Sequence, residues 1–102
     1  MKSVLIHGDA KAEWDEAADY YRACAPGLAR AFVAQVSESL DRIARTPRAS
    51  PTYMQTRARK CLVARFPYMV FFVEFEDLIW VVAIAHARRE PGYWRERLND
   101  SP

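Results

Sequence analysis

The sequence predicts an α+β fold of two layers, a helical hairpin packed on a mainly antiparallel sheet, and three observations predict it. Two apolar patterns of helical period follow one another with only Pro26-Gly27 between them, so two helices must lie as antiparallel neighbours. Three strand-like runs, over residues 59–66, 68–75 and 78–86, then succeed each other with no helix between, as in a meander. The last of them, LIWVVAIAH, is apolar on both faces, which fits a central strand covered on both sides. The resulting order is β-α-α-β-β-β with a short C-terminal helix, and the helix pair must cover one face of the sheet.

Each element has its own local reason. Ser3 to His7 is a short apolar and β-branched run ending at Gly8, a first strand. Asp9 stands at the expected N-cap of the first helix, over residues 10–24. Trp14, Ala17, Ala18 and Tyr21 recur at steps of three and four and form one face, while Glu13, Asp15, Glu16 and Asp19 lie toward the favourable N-terminal end of the dipole. The second helix, residues 26–45, carries Leu28, Phe32, Val36, Leu40 and Ile43 as its stripe and Arg42 and Arg45 in its last turn. TPRASP, residues 46–51, is a loop. Glu76-Asp77 links the final hairpin, although this pair is not the favoured chemistry for a primed turn. In the last strand strict alternation puts Leu78, Trp80, Val82 and Ile84 on one face and Ile79, Val81, Ala83 and Ala85 on the other. Pro91 opens a final helical turn through Leu98.

At 102 residues, 51% of them apolar, the chain is expected to form one domain, residues 1–102, with a core that needs no staples. No apolar run is long enough for a membrane helix, and the N-terminus lacks a signal pattern, so a cytoplasmic location is expected. Cys24 and Cys61 read as two buried free thiols. His7 and His86 stand far from both cysteines and from each other, so no metal site and no cofactor are expected. The net charge of +2 hides an asymmetry: no acid occurs from Arg42 to Val73, although Arg42, Arg45, Arg48, Arg57, Arg59, Lys60 and Arg65 do. That stretch is either a solvated basic face or a surface for an acidic protein segment or phosphate.

Several segments then carry a resemblance: E-A-A-D-Y-Y over residues 16–21, L-x-R-I over 40–43 before the proline loop, R-x-x-x-x-x-R-F-P-Y over 59–68, and H-A-R-R-E-P-G-Y-W-R-E-R over 86–97. Together they resemble toxins of the RelE/ParE superfamily, the stable half of bacterial toxin–antitoxin pairs. The resemblance implies a cognate antitoxin whose C-terminal segment wraps the hairpin and sheet, in a higher-order hetero-oligomer. It implies antitoxin contacts at Trp14, Tyr21, Phe32 and Arg57. It implies one of two targets: messenger RNA on the ribosome, cleaved as by RelE-like members, or DNA gyrase, poisoned as by ParE-like members.

Metal-free RNA cleavage needs a base, an acid and cations for the phosphate. His86, Arg65 and Tyr93 are the catalytic candidates in that reading, Tyr93 also as a stacking platform for a base. However, Met69 stands where the family pattern commonly has an arginine after F-P-Y, and Phe72 where a tyrosine is common. Loss of a cation and a hydroxyl favours the ParE-like reading, with ribonuclease action, or a degenerate toxin retaining only antitoxin binding, as alternatives. Target contacts are expected from Arg59, Lys60, Arg65, Arg88 and Arg89. The plainer roles are that His86 ends a strand structurally, that Arg88 and Arg89 are solvated or pair with Glu90 or Glu96, and that Tyr93 and Trp94 anchor the terminal turn on the sheet.

Overall fold

The computed structural model describes residues 1–102. Its elements are β1 (Ser3–Ile6), α1 (Gly8–Cys24), α2 (Pro26–Arg45), β2 (Arg59–Leu62), β3 (Tyr68–Glu74) and β4 (Leu78–His86), with short 3-10 turns at Pro47–Ala49 and Arg95–Asn99. The sheet order is β1-β4-β3-β2, antiparallel throughout except that β1 joins β4 in parallel. No helix is long and apolar enough to cross a membrane.

The hairpin covers one sheet face, as its periodicity dictates. Ala10, Ala17 and Ala18 of α1 and Phe32, Val36 and Ile43 of α2 close on Val70, Phe72, Ile79, Val81 and Ile84 of the sheet. Small side chains on α1 let it approach, and large ones on α2 fill the gap. Phe32 is 0% exposed, with the rings of Tyr21, Phe66 and Tyr68 at 5.0, 5.2 and 5.0 Å. Leu28, in the first turn of α2, lies outside this cluster and is exposed.

The helix start differs from expectation. α1 begins at Gly8, and its cap is His7, not Asp9: His7 Nδ1 accepts the Asp9 backbone N–H at 3.0 Å. An accepting Nδ1 puts the ring proton on Nε2, which faces Asp100 Oδ2 at 2.7 Å. Asp9 is left in the first turn, still at the positive end of the dipole.

β2 ends at Leu62, not Phe66, because Arg65 sits at φ 71° and the Val63 N–H bonds the Tyr68 carbonyl at 2.9 Å, closing a turn inside an apolar run. The Glu76-Asp77 link is real: Phe75 N–H bonds the Leu78 carbonyl at 2.8 Å around it. Neither residue has a positive φ, so the turn is not a primed one. The terminal helical turn begins at Arg95 rather than Pro91 and is of 3-10 type. Gly92, at φ 76°, turns the chain before it, and a Cβ there would meet Arg95 Nε at 3.0 Å. The cysteines are free but not buried: Cys24 is exposed at the end of α1, and Cys61 is half-buried on the edge strand β2.

β4 is the central strand, buried from Ile79 to Ala85. Its alternation is broken by a bulge. Phe71 opposes Ala83 and Phe72 opposes Val81, so Val82 is an extra residue. Hence Ile79, Val81 and Ile84 face the helices, while Trp80, Val82, Ala83 and Ala85 face the other side.

That second face is roofed with no α-helix or strand, by a loop and by a segment that ends in the 3-10 turn. The 51–57 loop supplies Tyr53, and the 91–99 segment supplies Tyr93, Trp94 and Leu98. Trp94 is 1% exposed, with Phe71 at 4.6 Å and Tyr53 at 5.7 Å between ring centres. Two arginines tie the segments together: Arg57 donates to the Leu98 carbonyl, and Arg95 to the Met54 carbonyl at 3.4 Å.

Candidate functional site

β1 is four residues long and its register ends at Ile6 opposite Val81, whereas β4 runs on to His86. Beyond Val81 the β4 edge has no strand partner, and buried backbone groups left there must find one. Side chains supply it. Glu13 Oε1 accepts the Ile84 N–H at 3.0 Å, and Arg97 Nη1 donates to the Val82 carbonyl at 2.9 Å.

Glu13 and Arg97 are themselves joined fork to fork, Nη1 to Oε1 and Nη2 to Oε2, each at 3.0 Å. The Tyr93 hydroxyl donates to Glu13 Oε2. The side chains of Arg97 and Glu13 are only 17% and 13% exposed, so this is a nearly dry network. Burial, reinforced by the Glu13 hydrogen bond and charge, pushes the Tyr93 phenol far above its ordinary range. Burial works against the Arg97 charge, but the hydrogen bond and charge of Glu13 outweigh it and hold the guanidinium protonated.

On the second face, beside this network, lies a cleft of about 160 Å³ lined by Lys60, His86, Arg89 and Tyr93, with Phe71 and Trp94 among its apolar walls. Arg89 lies on the Tyr93 ring, its guanidinium carbon 3.8 Å from the ring centre, and Lys60 Nζ is 5.6 Å from the Tyr53 ring centre. His86 stands edge-on to Tyr68 at 5.1 Å, and its Nδ1 accepts the Arg88 N–H at 3.0 Å.

The expected site residues therefore divide. His86, Tyr93, Lys60 and Arg89 come together; Arg65 does not line their cleft and stands exposed in the β2–β3 turn. Arg59 pairs with Phe72 and so projects toward the helix side, where it donates to the Ser50 carbonyl at 2.7 Å, while Lys60 pairs with Phe71 on the opposite side. Arg88 and Arg89 are exposed and form no ion pair with Glu90 or Glu96. Among the expected antitoxin contacts, Phe32 is wholly buried and supports the hairpin from within. Tyr21 and Trp14 are half-buried, the Trp14 indole N–H without an acceptor, and Arg57 is exposed but engaged with Leu98. Glu13 and Arg97 were not foreseen: Glu13 read only as a helix-dipole acid, and nothing in the sequence pairs two residues 84 positions apart. No three His, Cys, Asp or Glu side chains are grouped to hold a metal ion.

A second cleft, about 340 Å³, lies between the end of α2 and the edge strand β2. Arg42 lines it, Lys60 on the edge strand borders it as well as the first cleft, and no acid does, the spatial expression of the acid-free stretch. Arg42 reaches across it to the Leu62 carbonyl at 3.3 Å and to Cys61 Sγ at 3.6 Å.

A family model described as the ParE toxin of the type II toxin–antitoxin system parDE matches residues 4–91. Among solved structures, one described as the chromosomal ParDE TA system from P. aeruginosa is similar, with a TM-score of 0.73 and 20% identity, covering 84% of this chain and 96% of that one. No curated protein sequence matches.

Proposed function

From the premise that this chain belongs to the ParE toxin family, and is thus the toxin component of a type II toxin–antitoxin system, we propose that it acts by binding DNA gyrase and not by cleaving RNA. The observation that carries this reading is the state of Tyr93. Its hydroxyl is committed to Glu13 and its phenol is held far above the ordinary range, so it is no proton-transfer partner for His86. Metal-free RNA cleavage needs an acid and a base together, and with Tyr93 committed to Glu13 the other titratable groups beside His86 in this cleft, arginine apart, are Lys60, Tyr53 and the exposed Glu90. Arg88 and Arg89, exposed and without an ion-pair partner, are instead suited to fixing register on an acidic protein surface, with Lys60 in the same cleft as Arg89.

The cognate antitoxin, in this reading, takes the outer surface of the hairpin and the β2 edge, a surface that borders the arginines where Tyr20, His86 and Arg89 line one cleft. The hairpin exposes Tyr20, Leu28 and Val33 and half-exposes Trp14 and Tyr21, giving apolar anchor points. The acid-free cleft beside β2 gives an acidic segment its orientation, and β2 is a sheet edge able to accept an extended chain. Together these favour a segment that folds on binding, in a hetero-oligomer of toxin and antitoxin.

The second reading, a ribosome-dependent ribonuclease, is favoured by one observation, the meeting of Lys60, His86, Arg89 and Tyr93 in one cleft. Purified protein separates the two. It is expected to inhibit gyrase supercoiling and to leave messenger RNA on translating ribosomes intact; cleavage at ribosomal A sites with supercoiling untouched would reverse the assignment. Arg88→Ala/Arg89→Ala is expected to weaken growth arrest about tenfold or more, with His86→Ala milder. In a ribonuclease, His86→Ala costs about 100- to 10,000-fold in rate.

A further inference from the structure

Glu13 has more contacts than an edge plug requires. Its carboxylate accepts from the Ile84 N–H, from both terminal nitrogens of Arg97 and from the Tyr93 hydroxyl, so both oxygens are fully used. The first contact fixes Glu13 to the central strand. The last fixes the direction of the Tyr93 ring, which otherwise belongs to a segment with no regular structure until Arg95. That ring is the platform on which the Arg89 guanidinium lies, at 3.8 Å, while Arg97 approaches the ring at 5.3 Å. A guanidinium held over a ring face keeps N–H groups free for a carboxylate of a partner, provided that the ring beneath it is held still.

We infer that Glu13 is a positioning residue for the target surface: acting through Tyr93, it sets the plane of Arg89 and so the register in which the toxin meets its target. The inference takes its functional meaning from the binding surface proposed above. It accounts for a carboxylate on α1, on the helical side of the molecule, being extended to a tyrosine 80 positions away on the segment that roofs the other face.

Two variants test it. Glu13→Gln turns an amide donor toward partners that are all donors. Tyr93→Phe removes only the hydroxyl and keeps the ring's packing, and so remains informative if the first variant folds poorly. The measurement is the order of the Arg89 Nε–H by nitrogen-15 relaxation, beside that of Arg88 as an internal reference, with growth arrest and gyrase inhibition normalised to folded protein. The expected result is an Arg89 that is ordered in the wild type and mobile in both variants, and a half-inhibitory concentration raised about tenfold, the loss of one well-placed interface arginine. The double variant should be no weaker than the worse single one, since both act on one chain of contacts. An Arg89 equally ordered in all proteins, or activity falling only with the folded fraction, would overturn the assignment. If the wild type arrests growth but leaves supercoiling untouched, the choice of gyrase fails while the relaxation comparison still decides the role of Glu13.

Discussion

The two faces of the sheet are sealed by different physics. On one, Phe32, Val36, Ile43 and the alanines of α1 meet the sheet through apolar contact of fixed period, and local sequence dictates what touches what. On the other, an aromatic roof of Tyr53, Tyr93 and Trp94 is carried by two irregular segments and held by polar contacts: Arg57 and Arg95 to carbonyls, Arg97 to Glu13 and His7 to Asp100. That contrast explains why the arginines proposed to meet the target lie beside the second face. A periodic helix must commit its face to the core, whereas a segment anchored by one tryptophan leaves its neighbours free to face outward.

The largest effects test whether both faces are equally part of the cooperative fold. Phe32→Ala and Trp94→Ala each remove a fully buried aromatic and should each cost about 3–5 kcal/mol. Urea melts monitored by far-ultraviolet dichroism give the magnitudes. The two should differ in where protection is lost. Phe32→Ala should raise amide exchange across α1 and α2, and Trp94→Ala should raise it first over residues 93–99 while β4 stays protected. Uniform loss in the Trp94 variant would mean that the two faces are a single unit and the contrast is only one of appearance.

The same contrast decides what was legible in the sequence. The helical hairpin and β4 were read almost to the residue, because apolar period and Pro26 determine them locally. The family was legible too, from F-P-Y and the arginine-rich tail. Failures occur where the determinant is distant or unmarked. A left-handed Arg65 carries no glycine signal, so the turn at 63–66 passed for strand. The His7 cap displaced Asp9 because a ring nitrogen met the helix N-terminus, with its other nitrogen satisfied from residue 100. The bulge at Val82 moved Ile84 to the helix side, where its N–H meets Glu13. Of the candidate site, the side chains were visible as types; their division between two faces of β2, and the role of Glu13, needed the register and the fold.

A middle-sized effect probes the polar seal itself. Arg97→Met keeps the stem's length and apolar contact but removes the charged partner of Glu13, leaving it the Ile84 N–H and the Tyr93 hydroxyl, and takes the Arg97 donor from the Val82 carbonyl. Hydrogen bonds to charged groups contribute about 1.5–3 kcal/mol, and both side chains keep some solvent contact, so a loss of about 2 kcal/mol is expected. If melting instead finds the variant as stable as the wild type, the β4 edge is sealed by water and packing, and the polar description of the second face is wrong.

The smallest effect comes from a carboxylate on the helix side, and it calibrates the rest. Glu74, at the end of β3, accepts from Lys2 Nζ at 2.8 Å and from Arg48 Nε at 3.4 Å. The Lys2 hydrogen bond holds its carboxyl below the ordinary range, against a modest opposing effect of burial. A folded pKa below the unfolded one means stability that is present at neutral pH and lost as pH falls through the folded value. Arg48 is 83% exposed and solvent screens the pair, so the contribution is about 0–1 kcal/mol. Glu74→Gln keeps the shape and removes the charge. The wild type should melt slightly above it at pH 7, the gap should close as pH drops below about 4.3, and 1 M salt should narrow it at neutral pH. A gap unchanged by acid and salt would assign the loss to packing and not to charge. A gap at pH 7 as large as that for Arg97→Met would show that polar contacts matter as much beneath the helices as on the roofed face, and the distinction between the two faces would fall with it.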